Sequence, residues 1–551
     1  MLKKIINYLT FTLKRIRRKI FGRQFPKIKK STRKIKLALS FVVVKFSDEF
    51  YHNILASSDV SNQQNELITI DNFCNLNYDS LANAMNAGIE KAKNEIIVLV
   101  HEDTFLPDGW QAELEAAIDE IEKIDPNWGI LGVAGLDDKG KPAGHYSDPN
   151  NFCNTFKKNQ KFVEATSVDE HLMILNRKIF PKADENIVGI HGIGTDMVLT
   201  SIQNGNKCYI VNAPSIHKYK NGKGEIIKKL MDSPKIADRL NYAYKADKLC
   251  CDEYISKKWD KLTPFDSIVT HYDKWKNPTE ILEKSPKLIL DTLDSPVILL
   301  GKGGGGSRLL SLLVADCGVF LGNNINISGD CMDMVIAIYQ AVIEKYKCKA
   351  EWQKNIIVPQ IKLAAAKMLQ AFTQKNNGFP DNFYWGFKLP ENLLLLPELN
   401  SAFPNARFIH MLRDPVETSL RRTHMTARLD NQIGRVTLPL AYRAAGIDVK
   451  QILSDPPELH NAYTTLFQLK NALEFCENNF DSKKYYELNF DDILTSPRKT
   501  RDKLCDWLGT TPVANKTEEE IDINRAKKPK TKYNQEIIDK IKQILKPVLT
   551  D

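Results

Sequence analysis

A glycine-rich run near the middle of the chain combines free backbone amides with charged side chains. Residues 295–314 read SPVILLGKGGGGSRLLSLLV, a pattern that predicts a strand, a loop and a helix. Four consecutive glycines leave N–H groups free to surround an oxyanion, and the start of a helix adds its positive end. Since Lys302, Ser307 and Arg308 supply charge and a hydroxyl, Gly301–Arg308 is predicted to be a phosphate-binding loop.

The spacing within this loop argues against a nucleotide kinase or ATPase. Gly301 and Gly306 have the separation found in a Walker A motif, but Ser307 and Arg308 follow. That motif requires Lys and then Ser or Thr at this point. A P-loop NTPase or kinase therefore stays an alternative with a poor motif match.

Three later stretches occur in a fixed order after the loop. They are WGFKLPENLLLLPEL at 385–399, FPNARFIHMLRDPVETSLRR at 403–422 and KYYELNFDDILTSPRKTRDKLCDWLG at 484–509. Together with the loop they resemble sulfotransferases, which use 3′-phosphoadenosine 5′-phosphosulfate as the sulfuryl donor. The resemblance covers most of residues 296–551.

The sulfotransferase resemblance implies a role for each loop residue. Arg413 would hold the 3′-phosphate, since guanidinium pairs with phosphate in a bidentate manner, and Ser419 would assist it. Lys302 would neutralise charge on the transferring group. The 5′-phosphosulfate would lie on Gly303, Gly304, Gly305, Gly306, Ser307 and Arg308. The catalytic base stays unassigned among Asp330, His424 and Glu391, and Lys388 is a further candidate for the lining.

The first half of the chain alternates predicted strands with helices. Apolar runs at 36–44, 65–72 and 95–100 predict strands, and 80–91 has helical periodicity. The third strand runs into His101, Glu102 and Asp103. Ligands of α/β sheets bind beyond the carboxyl ends of the strands, so acidic residues there are well placed for a ligand.

The stretch EIIVLVHEDTFLPDGW at 95–110 resembles the metal-binding strand end of family 2 glycosyltransferases of the GT-A fold. The resemblance implies that His101, Asp103 and His217 hold Mn²⁺ or Mg²⁺ against the diphosphate of a nucleotide sugar. Asp71 would contact the nucleoside, and Asp196 would be the general base of sugar transfer. The alternative for Asp196 is a helix cap, because Gly-Thr-Asp before an apolar run is also a typical helix start.

These patterns predict an α/β protein of two domains. A GT-A, Rossmann-like glycosyltransferase domain is expected at 37–275, and a P-loop sulfotransferase domain with a parallel sheet at 296–551. Residues 276–295, which are charged and contain two prolines, are the predicted linker. A chain of 551 residues is long enough for two hydrophobic cores.

The positive charge is concentrated at the N-terminus. Residues 1–36 carry nine Lys and five Arg and no acidic residue, whereas the whole chain carries +9. The remainder is therefore acidic, which argues against a nucleic-acid-binding body. Apolar residues at helical spacing between these cations predict a basic amphipathic helix on an anionic membrane surface. With ten cysteines and no C-x-x-C pair, we expect a cytoplasmic protein on the inner face of the cell membrane.

The combined expectation is a bifunctional enzyme of polysaccharide biosynthesis. It would transfer a sugar and a sulfuryl group to hydroxyls of a cell-surface glycan or glycolipid. In one alternative the sulfotransferase alone is active and the GT-A half is a glycan-binding module. In another, suggested only by the N-terminal segment, the chain is a non-enzymatic membrane scaffold.

Overall fold

The computed structural model describes residues 26, 34–148, 151–179, 182–217, 234–421, 423–522 and 533–549. The chain forms two compact units, Met1–Lys229 with Cys251–Trp275 and Leu230–Cys250 with Lys276–Asp551. Leu230–Cys250, which we expected in the first domain, thus belongs to the second unit. Nearly all of the predicted membrane segment 1–36 lies outside the described residues. Within the described ranges, no helix is both long and apolar enough to cross a bilayer.

The first unit is built on one large mixed sheet. Its 12 strands follow the order β2-β1-β3-β10-β5-β11-β9-β6-β7-β12-β4, and β8 pairs with β7. A separate hairpin, β13 and β14, lies outside this sheet. The strands are β1 Leu39–Lys45, β2 Glu66–Asp71, β3 Ile96–His101, β4 Thr104–Phe105, β5 Ile130–Gly132, β6 Ala134–Asp137, β7 Pro142–Asp148, β8 Asn151–Asn154, β9 Phe162–Val168, β10 Leu172–Asn176, β11 Cys208–Val211, β12 Ser215–His217, β13 Phe265–Asp266 and β14 His271–Tyr272.

The three strands predicted from apolar runs form neighbouring positions of this sheet. β1 pairs in parallel with both β2 and β3, so the carboxyl ends of all three lie at one edge. Phe41, Val43, Val98 and Trp110 are fully buried in the core beneath them. The helices are α1 Asp48–Leu55, α2 Leu81–Lys91, α3 Trp110–Glu122, α4 Ile193–Gln203 and α5 Pro234–Lys258, the last shared between the two units.

The second unit contains a five-stranded sheet in which every pair is parallel, as the sequence predicts. The order is β16-β17-β15-β18-β19. The strands are β15 Val297–Leu300, β16 Val319–Phe320, β17 Tyr384–Lys388, β18 Arg407–Leu412 and β19 Tyr485–Asn489. The helices are α6 Pro278–Leu282, α7 Lys287–Leu293, α8 Ser307–Asp316, α9 Val335–Tyr346, α10 Glu351–Asn355, α11 Ile357–Asn376, α12 Leu396–Ala402, α13 Pro415–Ser419, α14 Gln432–Ala444, α15 Pro457–Asn479, α16 Phe490–Thr495, α17 Pro497–Leu508, α18 Lys516–Glu519 and α19 Gln535–Leu545.

The central strand β15 has no polar face. Each of its four residues is fully buried, because parallel strands covered by helices on both sides are apolar throughout. Its neighbours are β17 and β18, so the residues that follow these three strands meet at one edge. The predicted linker 276–295 instead contains α6 and α7, which pack on α11.

Truncating the central strand should destabilise the second unit specifically. Leu299 is fully buried between helices and neighbouring strands, so Leu299→Ala should cost about 2–5 kcal/mol through lost burial and the cavity left behind. The measurement is urea-dependent hydrogen exchange in peptides of the second unit. Leu288, which is 55% exposed, supplies the control: Leu288→Ala should change the free energy of opening by less than about 0.5 kcal/mol. Equal effects of the two substitutions would contradict the burial of β15.

Candidate functional site

The glycine loop closes tightly against its neighbours in the second unit. The amide of Gly305 donates to the Lys302 carbonyl at 2.9 Å, and Gly306 has a φ of +99° just before α8. A Cβ on Gly303 would lie 2.3 Å from the His424 ring. A Cβ on Gly306 would lie 2.4 Å from the ring of Phe490. These two positions therefore require glycine, and the loop backbone stays close to the start of α8.

One buried lysine, Lys302, lies in the loop, and a second, Lys388, lies beside it. The Lys302 ammonium donates to Thr426 Oγ1 at 3.2 Å. Burial lowers the pKa of Lys302 to about 7, against the opposing effect of Glu391. Lys388, at the end of β17, donates to Asp330 Oδ1 at 2.5 Å and to Ser307 Oγ at 3.2 Å. Burial lowers the pKa of Lys388 as well, although Asp330 opposes this.

Arg413 follows β18 and lies against the loop. Its Nη1 donates to the Gly305 carbonyl at 3.3 Å, and its Nη2 pairs with Glu417 at 3.2 Å. The guanidinium carbon lies 4.1 Å from the centroid of the Phe490 ring. Since 6% of the side chain is exposed, the guanidinium is fixed in one orientation at the same edge as the two lysines.

Two predicted donor residues face other partners. The Arg308 guanidinium pairs with Glu520 at 2.5 Å, and 43% of the Arg308 side chain is exposed. Ser419 is fully buried, and its hydroxyl donates to the Pro415 carbonyl at 2.8 Å. Their roles in donor binding stay predictions, and in this conformation neither polar group points into the loop.

A cavity of about 530 Å³ opens over the loop. Loop-side lining is supplied by Gly303, Gly304, Ser307 and Lys388. The remaining wall is largely polar and includes Arg239, Tyr242, Asn324, Asn326, His424, Arg428 and Asp430. The cavity therefore brings hydrogen-bonding groups next to the loop and to Lys388.

Two of the three candidates for the catalytic base, Asp330 and His424, are held by other residues. Asp330 is 1% exposed; although burial opposes it, Lys388 and Arg239 hold the pKa of Asp330 below its usual value. Both ring nitrogens of His424 are engaged, Nε2 by Arg239 at 3.0 Å and Nδ1 by Thr426 Oγ1 at 3.1 Å. Glu391 is fully buried, which raises its pKa. None of the three is thus identified as the base that takes the proton of the acceptor hydroxyl.

The first unit brings together the three residues predicted to bind a metal. One ligand atom each from His101, Asp103 and His217 lies within 4.8 Å of the other two. His101 ends β3, Asp103 lies in the turn to β4, and β12 places His217 opposite Thr104. Burial lowers the pKa of His101 to about 4, so its imidazole is neutral at pH 7, the form that coordinates metals. Its Nε2 is buried without a hydrogen-bond partner in the described part of the chain.

Further polar residues orient this cluster. Asp148 at the end of β7 lies 3.3 Å from His217 Nδ1, on the side opposite Asp103. Asp169 accepts from His171 Nδ1 at 2.6 Å, and His171 Nε2 lies 3.0 Å from Ser215 Oγ. This resembles a hydrolase triad, but Ser215 is fully buried and no substrate can reach its hydroxyl. The position of Asp148 against the second ring nitrogen of His217 is typical of metal sites, where an acceptor fixes the ligating histidine.

Asp196, the predicted base of sugar transfer, lies in the first turn of α4. Its carboxylate accepts from Lys258 at 2.9 Å and from the Trp259 indole at 2.8 Å. Burial raises its pKa although Lys258 opposes this. The alternative assignment as a helix cap is wrong, because Gly192 occupies that position. Asp71 ends β2 and is exposed, so it is open to a ligand.

Residues 296–514 match the family model described as sulfotransferase family. The chain carries a sulfotransferase-family domain. This segment begins one residue before β15 and contains the glycine loop, Lys388 and Arg413. A sulfotransferase family implies 3′-phosphoadenosine 5′-phosphosulfate as donor, in agreement with the resemblance of the motifs.

Solved structures show only distant similarity. Sulfotransferase STF9 from Mycobacterium avium is 12% identical, with a TM-score of 0.28 over 50% of this chain and 74% of that one. Sulfotransferase STF1 from Mycobacterium tuberculosis H37Rv is 11% identical, with a TM-score of 0.31 over 55% and 85%. The mannosyltransferase PcManGT from Pyrobaculum calidifontis, in complex with GDP-Man and Mn²⁺, is 9% identical, with a TM-score of 0.27 over 46% and 70%.

One curated relative matches in sequence. "ATP synthase subunits region ORF 6" from Fuscovulum blasticum is 27% identical over 139 residues, which are 24% of this chain and 54% of the relative. The chain thus spans about half the length of that protein.

Several residues around the sulfotransferase loop escaped the sequence analysis. Thr426 and Arg239 belong to no motif, and nothing in their neighbourhood marks them. The segment WGFKLP did mark Lys388, which the sequence predicts as a candidate for the lining. In the first unit, Asp169 and His171 lie between β9 and β10, whereas Lys258 and Trp259 lie far from Asp196 in sequence.

Anion binding at the sulfotransferase loop should depend on pH through Lys302. Its pKa of about 7 means that the ammonium is present below pH 7 and is lost as pH rises, unless a bound anion raises the pKa. Binding of 3′-phosphoadenosine 5′-phosphate at pH 8 should therefore take up a proton. Titration calorimetry in buffers of different ionisation enthalpy measures this uptake. Lys302→Arg, which keeps its charge at this pH, should abolish it; equal uptake by both proteins would contradict the assignment.

Proposed function

We propose that the second unit transfers the sulfuryl group of 3′-phosphoadenosine 5′-phosphosulfate to a hydroxyl group. One observation carries the proposal: three adjacent parallel strands end side by side and bring the glycine loop, Lys388 and Arg413 to one edge. Arg413 lies at this edge and would bind the 3′-phosphate, and the loop amides and helix start suit the 5′-phosphosulfate.

The reaction makes one bond and breaks one bond at sulfur. The acceptor oxygen bonds to sulfur, the bond from sulfur to the phosphate oxygen breaks, and 3′-phosphoadenosine 5′-phosphate leaves. Lys302, Lys388 and Ser307 lie where they can neutralise charge on the sulfuryl and bridging oxygens. The proton of the acceptor hydroxyl passes to a base or to water as the new bond to sulfur forms.

The proposed acceptor is a hydroxyl of a glycan or glycolipid. Amide, hydroxyl and guanidinium groups line the cavity over the loop, and such groups suit a ligand rich in hydroxyls. We further propose that the enzyme works in the cytoplasm on the inner face of the membrane, on a cell-surface polysaccharide under assembly. The basic N-terminal sequence supports this location.

Removing the Arg413 guanidinium should weaken the binding only of nucleotides that carry a 3′-phosphate. Arg413→Ala should lose about 10- to 100-fold in affinity for 3′-phosphoadenosine 5′-phosphate, since a hydrogen bond to a charged group contributes about 1.5–3 kcal/mol. Affinity for adenosine 5′-phosphate, which lacks that group, should stay unchanged. Calorimetry of both ligands measures the difference. Arg443, an exposed arginine of α14, supplies the control, and Arg443→Ala should bind both ligands as the wild type does.

Assays of the wild-type chain distinguish sulfuryl transfer from the activity of a kinase or ATPase. The wild-type chain should transfer ³⁵S from labelled donor to members of a panel of alkyl glycosides and oligosaccharides. Tighter binding of ATP than of 3′-phosphoadenosine 5′-phosphate, with no ³⁵S transfer, would overturn the proposal in favour of a kinase or ATPase.

We propose sugar transfer as a second activity, in the first unit. The convergence of His101, Asp103 and His217 favours it, and the unpartnered Nε2 of His101 fits a metal ligand. Imidazole and carboxylate suit Mn²⁺ or Mg²⁺, which would neutralise the diphosphate of a nucleotide sugar. Asp148 would orient His217, Asp71 would contact the nucleoside, and Asp196, held by Lys258 and Trp259, would take the acceptor proton. The chain would then be bifunctional.

Substitution of Asp103 should weaken Mn²⁺ binding. Asp103→Asn removes the carboxylate charge while keeping the shape of the side chain, so the affinity should fall by about 10-fold or more. Electron paramagnetic resonance of free Mn²⁺ measures the affinity, with and without uridine or guanosine diphosphate. Asp138, an exposed carboxylate, provides the control Asp138→Asn. Equal affinities of the two variants would contradict a metal site at Asp103.

A glycosyltransferase turns over a nucleotide sugar, whereas a glycan-binding module does not. If the first unit binds oligosaccharides but neither transfers nor hydrolyses any nucleotide sugar with Mn²⁺ present, it is a non-catalytic glycan-binding module. Loss of turnover in Asp196→Asn with unchanged Mn²⁺ affinity would support the base assignment.

A further inference from the structure

A side chain from outside the family-matching segment enters the sulfotransferase cavity. Arg239 lies on α5, in the segment Leu230–Cys250 that belongs to the second unit. It precedes the matched residues 296–514. Its Nη2 forms a close ion pair with Asp330 Oδ2, and its Nη1 donates to His424 Nε2 at 3.0 Å. Only 12% of the side chain is exposed.

The Asp330 carboxylate is shared between two cations. Oδ1 accepts from Lys388 at 2.5 Å, and Oδ2 faces Arg239 and also accepts from Asn326 at 3.0 Å. Both Asp330 and Lys388 are 1% exposed. The three charged groups together carry one net positive charge. Without the guanidinium, the carboxylate would cancel the charge of Lys388 in a medium where water screens little.

Arg239 is also connected to the other buried lysine. Because a guanidinium only donates, His424 Nε2 accepts from Arg239, and the other ring nitrogen, Nδ1, lies 3.1 Å from Thr426 Oγ1. The same oxygen accepts from Lys302 at 3.2 Å. Arg239 therefore contacts Asp330, which is the partner of Lys388. Through His424 it also reaches Thr426, which is the partner of Lys302.

We propose that Arg239 is a positioning residue of sulfuryl transfer, an inference that rests on the proposed function of this unit. By neutralising Asp330, it leaves the charge of Lys388 available to the sulfuryl group, and it fixes the His424 ring that holds Thr426 against Lys302. The sulfotransferase site then includes a residue of α5, and the family-matching segment alone is an incomplete site.

The test uses full-length variants and release of 3′-phosphoadenosine 5′-phosphate from the sulfuryl donor, which reports transfer to an acceptor or to water. Arg239→Ala should lower the turnover number about 30-fold or more, as loss of one partner of a buried charge pair does. Affinity for 3′-phosphoadenosine 5′-phosphate, which lacks the sulfuryl group, should change less than about twofold. Asn241→Ala, an exposed position of the same helix, is the control and should leave both quantities unchanged.

A second substitution separates an electrostatic role from a structural one. In the double variant Arg239→Ala, Asp330→Asn, no carboxylate remains to cancel Lys388, so turnover should recover about 10-fold relative to Arg239→Ala, a non-additive effect expected only of coupled groups. Arg239→Lys should be intermediate, because an ammonium can pair with Asp330 but lacks the fork that also reaches His424. If Arg239→Ala does not fold, the comparison is made in Arg239→Lys with and without Asp330→Asn.

Each result has one meaning. No turnover by the wild type overturns the proposed function itself. An active wild type with Arg239→Ala as active as Asn241→Ala overturns the positioning role. A double variant no better than Arg239→Ala, with nucleotide affinity retained, also overturns it, because the effect would not pass through Asp330.

Discussion

The sulfotransferase site depends on a buried carboxylate that lies between two cations. Asp330 is bonded to Lys388 on one oxygen and to Arg239 on the other, and all three side chains are shielded from water. Isolated charges are very costly to bury, and a lysine near a carboxylate is tolerated only if hydrogen bonds satisfy the pair. This arrangement holds the Lys388 ammonium under the loop, 3.2 Å from Ser307 Oγ.

In the first unit, the pairing of strands determines where the potential metal ligands lie. His101 and Asp103 flank a tight turn, and Glu102 between them points the other way, where it accepts from the amides of Phe46 and Ser47. This anchors the end of β3 to the chain after β1. Antiparallel pairing of β4 with β12 then places His217 across from the turn. The cluster of potential ligands is therefore a product of backbone hydrogen bonds, and Asp148 reaches it because β7 pairs with β12 on the other side.

The sequence predicted the elements that carry local signals, and it missed those that depend on tertiary contacts. The apolar run 297–300, the glycines and the apolar start of α8 are contiguous, so strand, loop and helix could be read directly. The parallel sheet followed from the resemblance of several motifs in order. By contrast, nothing local links Arg239 to Asp330 or Lys258 to Asp196, because these pairs form between distant segments. For the same reason the predicted linker 276–295 could not be recognised as two helices: their apolar positions gain a partner only when α11 packs on them.

The glycine loop differs from a Walker A motif in the position of its lysines. In that motif the lysine directly follows the second glycine. Here Lys302 follows the first glycine of the loop, Gly301, and Lys388 comes from the end of the neighbouring strand β17. Both are buried, and burial lowers the pKa of each, so each ammonium is weakly solvated before an anion arrives. A charge that has already lost its water interacts strongly with an anion and needs little reorganisation when the anion binds. Asp330 and Thr426 offset part of the cost of that burial, because they accept hydrogen bonds from Lys388 and Lys302.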